Sequence, residues 1–296
     1  VSSALAELTE EASAPSEQPS KPSSPRTVIE PPRGWQGIDL RELWRFRELV
    51  FFLCWRDVKV RYKQTVLGAA WAILQPAMLM VVFTVFFSRL AGLSSGDVPY
   101  PLFALTGLVA WTFFATAVGN ASNSVVGSER LITKIYFPRL AIPFAAVGAA
   151  VVDFIVACGL LAVLMAVYGI APTWNILAAP LIFAVIALTA AGLGTCLAAL
   201  NVAYRDFRYV VPFLIQVGMF ATPTIYMQPS GSEGSAVQGL LIVNPLTSLI
   251  AGFRASLLGG PMPWEGLALA AAISVVLFVA GCLYFRKVED SFADVI

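Results

Sequence analysis

One carboxylate stands apart in this sequence. Asp153 is the sole charged residue in the apolar run from Leu140 to Tyr204. An ionisable group at membrane depth is costly and marks a functional candidate by default. Two roles are open to it. It can couple transport to a proton or sodium ion, or it can bond to a neighbouring helix or face a polar conduit. Coupling finds little support, because no second acid, histidine or lysine lies near it at membrane depth and no internal repeat is visible. Two other sets of residues carry chemistry. Arg56, Lys59, Arg61 and Lys63 form a basic cluster suited to anionic lipid or to a lipid-linked diphosphate. The stretch 128–139 (SERLITKIYFPR) reads as a short capped helix. Ser128 caps it, Glu129 opens the first turn, Leu131, Ile132 and Ile135 form an apolar face, and Pro138 stops it. With Arg130 and Lys134 it makes a knob that fits a groove on a soluble partner. A plain surface turn is the competing reading.

Other chemistry is missing from the sequence. There is no histidine, which removes the commonest general base and metal ligand. No G-x-x-x-x-G-K-[ST], H-E-x-x-H or G-x-S-x-G occurs, so ATP, if used, must be hydrolysed by another polypeptide. Cys54, Cys158, Cys196 and Cys282 are widely spaced in or beside apolar segments and read as small packing residues. No metal, cofactor or nucleic-acid partner is expected for this chain.

The elements that must position these groups are membrane helices. Of 296 residues, 58% are hydrophobic and 12% charged, about half the charge of a soluble domain. A spanning helix needs about 20 mostly apolar residues. Uncharged runs place spans near 68–88 and 102–126, two more between 140 and 204 split at Tyr168–Asn175, a fifth near 209–227 and a sixth near 266–285. Lys and Arg in the successive segments number 8, 1, 3, 0, 2, 1 and 2, alternating as the positive-inside rule requires. Six spans with both termini cytoplasmic follow.

The expected fold is therefore all-α integral membrane, in four regions. Residues 1–34 are polar and proline-rich, lack a signal-peptide core, and read as a disordered cytoplasmic tail. Residues 35–63 place aromatics on one side and arginines on the other, as an interfacial amphipathic helix does. Residues 64–286 form the transmembrane domain, and 287–296 a cytoplasmic tail. Residues 235–260, broken at Asn244-Pro245 and carrying Arg254, read as two re-entrant half-helices at the outer leaflet.

The order of short motifs resembles a known family. Arg61-Tyr62-Lys63 is followed by Leu67-Gly68, Trp71 and Gln75-Pro76. Then come Glu129-Arg130 through Phe137-Pro138-Arg139, Asn201-x-x-Tyr204-Arg205-Asp206, Ala221-Thr222-Pro223-x-x-Tyr226 and Asn244-Pro245. Over residues 38–290 this resembles ABC-2 type permeases, in particular the membrane subunits of O-antigen (Wzm-type) polysaccharide exporters, with teichoic acid and capsule exporters as similar relatives. The resemblance implies a homodimer joined to two copies of a separate ABC ATPase, which binds ATP and Mg. It makes the 128–139 helix the ATPase-coupling element, and Pro223, Tyr226, Asn244, Pro245 and Arg254 a periplasmic gate. It implies a glycan carried on undecaprenyl diphosphate. Sugars stack on aromatic rings, and Tyr100, Phe103, Trp111, Phe114 and Tyr226 are candidate conduit rings. Phe113, Tyr168, Trp174 and Trp264 also lie near the outer ends, where an ordinary aromatic belt accounts for many of these positions. A permease for small drugs or lipids, and an ion-coupled carrier using Asp153, remain the other function classes.

Overall fold

The computed structural model describes residues 40–63, 70–90, 98–132, 137–224, 241, 243–289 and 292. The N-terminal tail, Lys134, Ile135, Tyr226 and most of 235–243 lie outside the described residues. Every regular element described is helical.

Five helices are long and apolar enough to cross a bilayer: Ala70–Phe87, Tyr100–Ser124, Ala141–Val167, Trp174–Ala203 and Trp264–Val288. Their limits follow from local chemistry. The first begins as α3 (Ala70–Phe83) and loosens into a π-helical stretch, Thr84–Leu90. At that junction the Thr84 hydroxyl donates to the Met80 carbonyl at 2.7 Å, a back-bond that perturbs the helical ladder. α4 (Tyr100–Ser124) opens with Pro101 in its first turn, where a missing N–H costs nothing. α6 (Ala141–Val167) ends at Gly169, whose φ of 69° only glycine adopts freely. The turn falls inside the expected 168–175 split. A 3-10 turn (Trp174–Ala178) then leads into α7 (Ala179–Ala203), and α10 (Trp264–Val288) closes the set with Arg286 and Lys287 in its last turn.

Two apolar helices are shorter: α8 (Phe207–Ala221) and α9 (Pro245–Leu258). At 1.5 Å per residue, the 15 residues of α8 reach about 22 Å, less than the roughly 30 Å hydrocarbon core. Hence the described helices give five full-length spans rather than six.

α4 is the hub. It packs on α6, α7, α3, α8 and α9, and its residues from Leu102 to Val109 are all buried. α7 in turn lies along α10. That pair approaches backbone to backbone at Gly192 and Gly281, where a Cβ on Gly281 would meet the Gly192 carbonyl oxygen at 2.1 Å. Close approach between small residues is what holds membrane helices together when lipid is as apolar as leucine. A polar clip joins the same helices: Thr189 Oγ1 donates to Ser274 Oγ at 2.7 Å, and Ser274 donates to the Ala270 carbonyl.

The N-terminal helical segment differs from expectation. It is broken at Phe46 (φ −94°, ψ 18°) into α1 (Leu40–Arg45) and α2 (Arg47–Tyr62). Charges and rings do not separate to opposite sides. Arg47 lies 5.6 Å from the Trp44 ring centroid and Lys59 lies 5.9 Å from that of Trp55, because three- and four-residue spacings put each cation above a ring. Trp44, Phe51, Phe52 and Trp55 are exposed, and α2 rests on α6 through Leu53 and Cys54.

Candidate functional site

The sequence candidates are spread along α4, a helix of 25 residues and about 37 Å, with one group toward each end and Asp153 beside its middle. At the Ser124 end lie the basic loop residues and α2. A 3-10 turn, Val126–Ser128, leads into α5 (Glu129–Ile132). Val126, Gly127, Glu129 and Arg130 are exposed there. The apolar side of the loop faces the other way. Ile132 is buried in a cluster with Val125, Phe137, Leu140, Val202 and Phe285, and Leu131 packs against that cluster. Among the described residues, the turn presents the charged side chains of Glu129 and Arg130 outward, beside Val126 and Gly127. Asn201 fixes its base, donating from Nδ2 to the Ser122 carbonyl at 2.9 Å.

The four basic candidates on α2 have distinct surroundings. Arg56 pairs with Asp57 at 2.8 Å, Lys59 lies over Trp55, and Lys63 is exposed beyond the helix end. Arg61 forms an ion pair with Asp153, whose second oxygen accepts from the Tyr62 hydroxyl. This resolves the geometry of the lone carboxylate: two side chains from α2 hold it, and it staples that helix to α6. Burial, and then the Asp153 carboxylate, push the Tyr62 phenol up to about 12, so it stays protonated and donates.

The pair is only partly buried within the chain, with side-chain exposures of 30% for Arg61 and 24% for Asp153. It therefore contributes less than a fully buried pair. Asp153→Ala is expected to destabilise the solubilised protein by about 1–3 kcal/mol. Asp153→Asn, which keeps an acceptor for Tyr62, is expected to lose less. The exchange of Arg61→Asp with Asp153→Arg tests the pairing directly, and melting temperatures in detergent report all three. A wild-type melting temperature for Asp153→Ala would show that the staple holds nothing.

At the Tyr100 end, the gate candidates meet. Asn244 caps α9, accepting from Leu246 N at 3.1 Å, with Pro245 in the first turn. Its Nδ2 reaches back to Thr222 Oγ1 at 2.9 Å. Arg254, one helix length on, donates from Nη2 to the Thr224 carbonyl at 2.7 Å. Its guanidinium carbon stands 3.7 Å from the centroid of Phe103. Pro223 is buried between the two threonines. Residues 222–224 are thus held twice against α9, by Asn244 to Thr222 and by Arg254 to Thr224. Gly107 lets the Thr224 backbone approach, since a Cβ there would meet the Thr224 oxygen at 2.1 Å and Arg254 Nη2 at 2.6 Å.

Two of these partners, Thr224 and Gly107, were not singled out in the sequence. The only signal was the Thr-Pro-Thr stretch after α8. Among the ring candidates, Tyr100 and Phe103 belong to this clasp region, 6.1 Å apart. Trp111 and Phe114 are core side chains, 5% and 6% exposed, with Trp111 packed against Gly218 of α8. Trp174 and Trp264 are exposed, as belt residues are.

These features define a multi-pass helical membrane protein, with a charged turn near one end of α4 and Thr222–Thr224 clasped by Asn244 and Arg254 near the other. Residues 48–258 match the ABC-2 type transporter family, and the chain belongs to that family as a permease. It is 32% identical over 257 residues to the O-antigen export system permease protein RfbA of Myxococcus xanthus, covering 86% of this chain and 98% of that protein. It is 26% identical to the Klebsiella pneumoniae protein of the same name, over 84% of this chain and 95% of that one. The polysialic acid transport protein KpsM of Escherichia coli is 23% identical, over 79% and 91%.

Proposed function

We propose that this chain is the membrane subunit of an ATP-driven exporter that carries a polysaccharide, anchored on undecaprenyl diphosphate, from the cytoplasm to the periplasm. The observation that carries the reading is the 32% identity that extends over 98% of an O-antigen export permease. In this reading the chain acts as a homodimer in the inner membrane, and two copies of a separate ABC ATPase bind ATP and Mg. Its termini and the Glu129–Arg130 turn face the cytoplasm. α8 with the residues after it makes the sixth span of the set, and α9 with the segment before it forms re-entrant half-helices. The clasp at Asn244 and Arg254 closes the periplasmic end.

The pairing at Asp153 speaks against an ion-coupled carrier. Such a site needs a carboxylate free to exchange a proton or cation, whereas both oxygens of Asp153 are engaged. The likeness to KpsM keeps capsule export as the second reading.

Deleting the gene should remove long-chain polysaccharide from the cell surface. A surface coat unchanged in amount and length would sink the reading. The outward charges of the turn give a finer test. The double charge reversal Glu129→Lys with Arg130→Glu is expected to weaken co-purification of the ATPase by about tenfold, the scale of rim charges at an interface. Glycan-stimulated hydrolysis should fall in parallel, and undiminished association and stimulation would move the docking site elsewhere.

A further inference from the structure

A cleft of about 360 Å³ opens between α2, α3, α4 and α6. Its wall on α4 carries Thr112, Thr116 and Asn120, at successive four-residue steps and therefore on one face. Trp71 and Gln75 of α3 face them, and the Arg61–Asp153 pair borders the opening.

The unusual feature is that these polar groups are idle. In the other described membrane helices most hydroxyls are satisfied by their own backbone, with Thr247 Oγ1 on α9 an exception. Thr106 donates to the Phe103 carbonyl, Ser122 to Gly119, Thr195 to Gly192 and Ser256 to Phe253, at 2.7–2.9 Å. Among the described residues no such bond forms at Thr112 or Thr116, and Asn120 Nδ2 is buried with no partner. An unpaired polar group is costly at this depth. Asn120 Nδ2 is the buried unpaired group, and Thr112 and Thr116 line the same cleft with hydroxyls open to it, an arrangement that suits a ligand with hydroxyls.

We propose that this cleft is a binding subsite for neutral sugar units of the exported glycan, with Thr112, Thr116, Asn120 and Gln75 bonding hydroxyls and Trp71 offering its ring to the C–H face. The inference rests on the exporter reading above. The size fits, since the cleft lies at the small end of the roughly 300–1,000 Å³ typical of ligand pockets and has room for a ring or two. The charge decides the class of sugar. The Arg61 cation is already matched by Asp153, so the cleft is electrically neutral and gives an acidic polymer no counter-charge. Trp71 lines the cleft and is half exposed, which leaves ring surface available to a sugar.

The test uses the full chain with its ATPase in nanodiscs, titrated with maltotriose and with trigalacturonate, two oligosaccharides of equal length that differ in charge. Saturation-transfer NMR gives both affinities. Maltotriose is expected to bind at least about tenfold more tightly than the acid, and Thr112→Val with Thr116→Val to weaken it by about tenfold. The valines match threonine in shape, so an unchanged melting temperature shows that the fold survives, and Trp71→Ala provides an independent loss. Equal affinity for the two sugars, full affinity in the double variant, or no binding of maltotriose overturns the subsite. The exporter reading fails on a different readout, surface polysaccharide after deletion of the chain, which does not depend on these side chains.

Discussion

Gly281→Leu is expected to prevent the chain from accumulating in the membrane as a folded protein. The reason is geometric. Gly281 and Gly192 bring α10 and α7 so close that a first side-chain carbon on Gly281 would lie 2.1 Å from the Gly192 carbonyl oxygen and 3.0 Å from Thr195 Oγ1. A Cβ on Gly192 would meet the backbone of Phe278 at 2.6 Å. Backbone cannot swing aside as a flexible side chain can, so the helices must separate. Separation also breaks the Thr189–Ser274 hydrogen bond and leaves two hydroxyls to rely on their own carbonyls. Overpacking alone costs about 1–3 kcal/mol, occasionally more, and the lost helix contact adds to it. Since domains are stable by only about 5–15 kcal/mol, such a loss is felt in abundance as well as in melting. Gly281→Ala should show a smaller version of the same defect. Fluorescence-detected size-exclusion of both variants measures it, and a monodisperse Gly281→Leu peak at wild-type height would mean the helices are not in contact as described.

How much of this could be read from the sequence depended on the distance over which each signal acts. Long uncharged runs report spans locally, so the helices at Tyr100–Ser124, Ala141–Val167 and Trp264–Val288 fall within a few residues of expectation. At the expected span near 209–227 the described helix α8 ends at Ala221 with Thr222 extended, where Asn244 bonds it, and the residues beyond Thr224 lie outside the described ones. Partnerships across the chain were not visible. Asp153 looked solitary because Arg61 lies 92 residues away and was itself a candidate for lipid. Ile132 looked like part of an outward knob, since an apolar face on a short loop helix does not say which neighbour it meets, and the nearby Phe137, Leu140 and Phe285 took it inward. The glycines of α7 and α10 carried no signal among so many small residues. For the clasp, Asn244-Pro245 and Arg254 could be picked out as types, but Gly107 gained meaning only when the Thr224 backbone was seen against it.

That glycine carries the second large effect. Gly107→Ala is expected to break the clasp at the Tyr100 end and to abolish export while the helices still assemble. The added methyl would lie 2.1 Å from the Thr224 oxygen and 2.6 Å from Arg254 Nη2, so the Thr224 backbone and the guanidinium cannot both stay. Arg254 then loses a charge-assisted hydrogen bond, and its place over Phe103 at 3.7 Å is disturbed. The two contacts together are worth about 2–5 kcal/mol in a site shielded from water. The clashes are with Thr224 and Arg254 and not with α6 or α7, so the cost falls on the clasp. The order of distances makes a sharper statement. The carbonyl is nearer than the guanidinium, so removing the arginine in Gly107→Ala with Arg254→Ala relieves the lesser clash only and should not restore export. Surface polysaccharide in a deletion strain carrying each variant, together with the melting temperature of the purified protein, separates the cases. Normal export by Gly107→Ala would place the Thr224 backbone away from α4. Rescue by the double variant would instead make the arginine, and not the Thr224 backbone, the obstructed group.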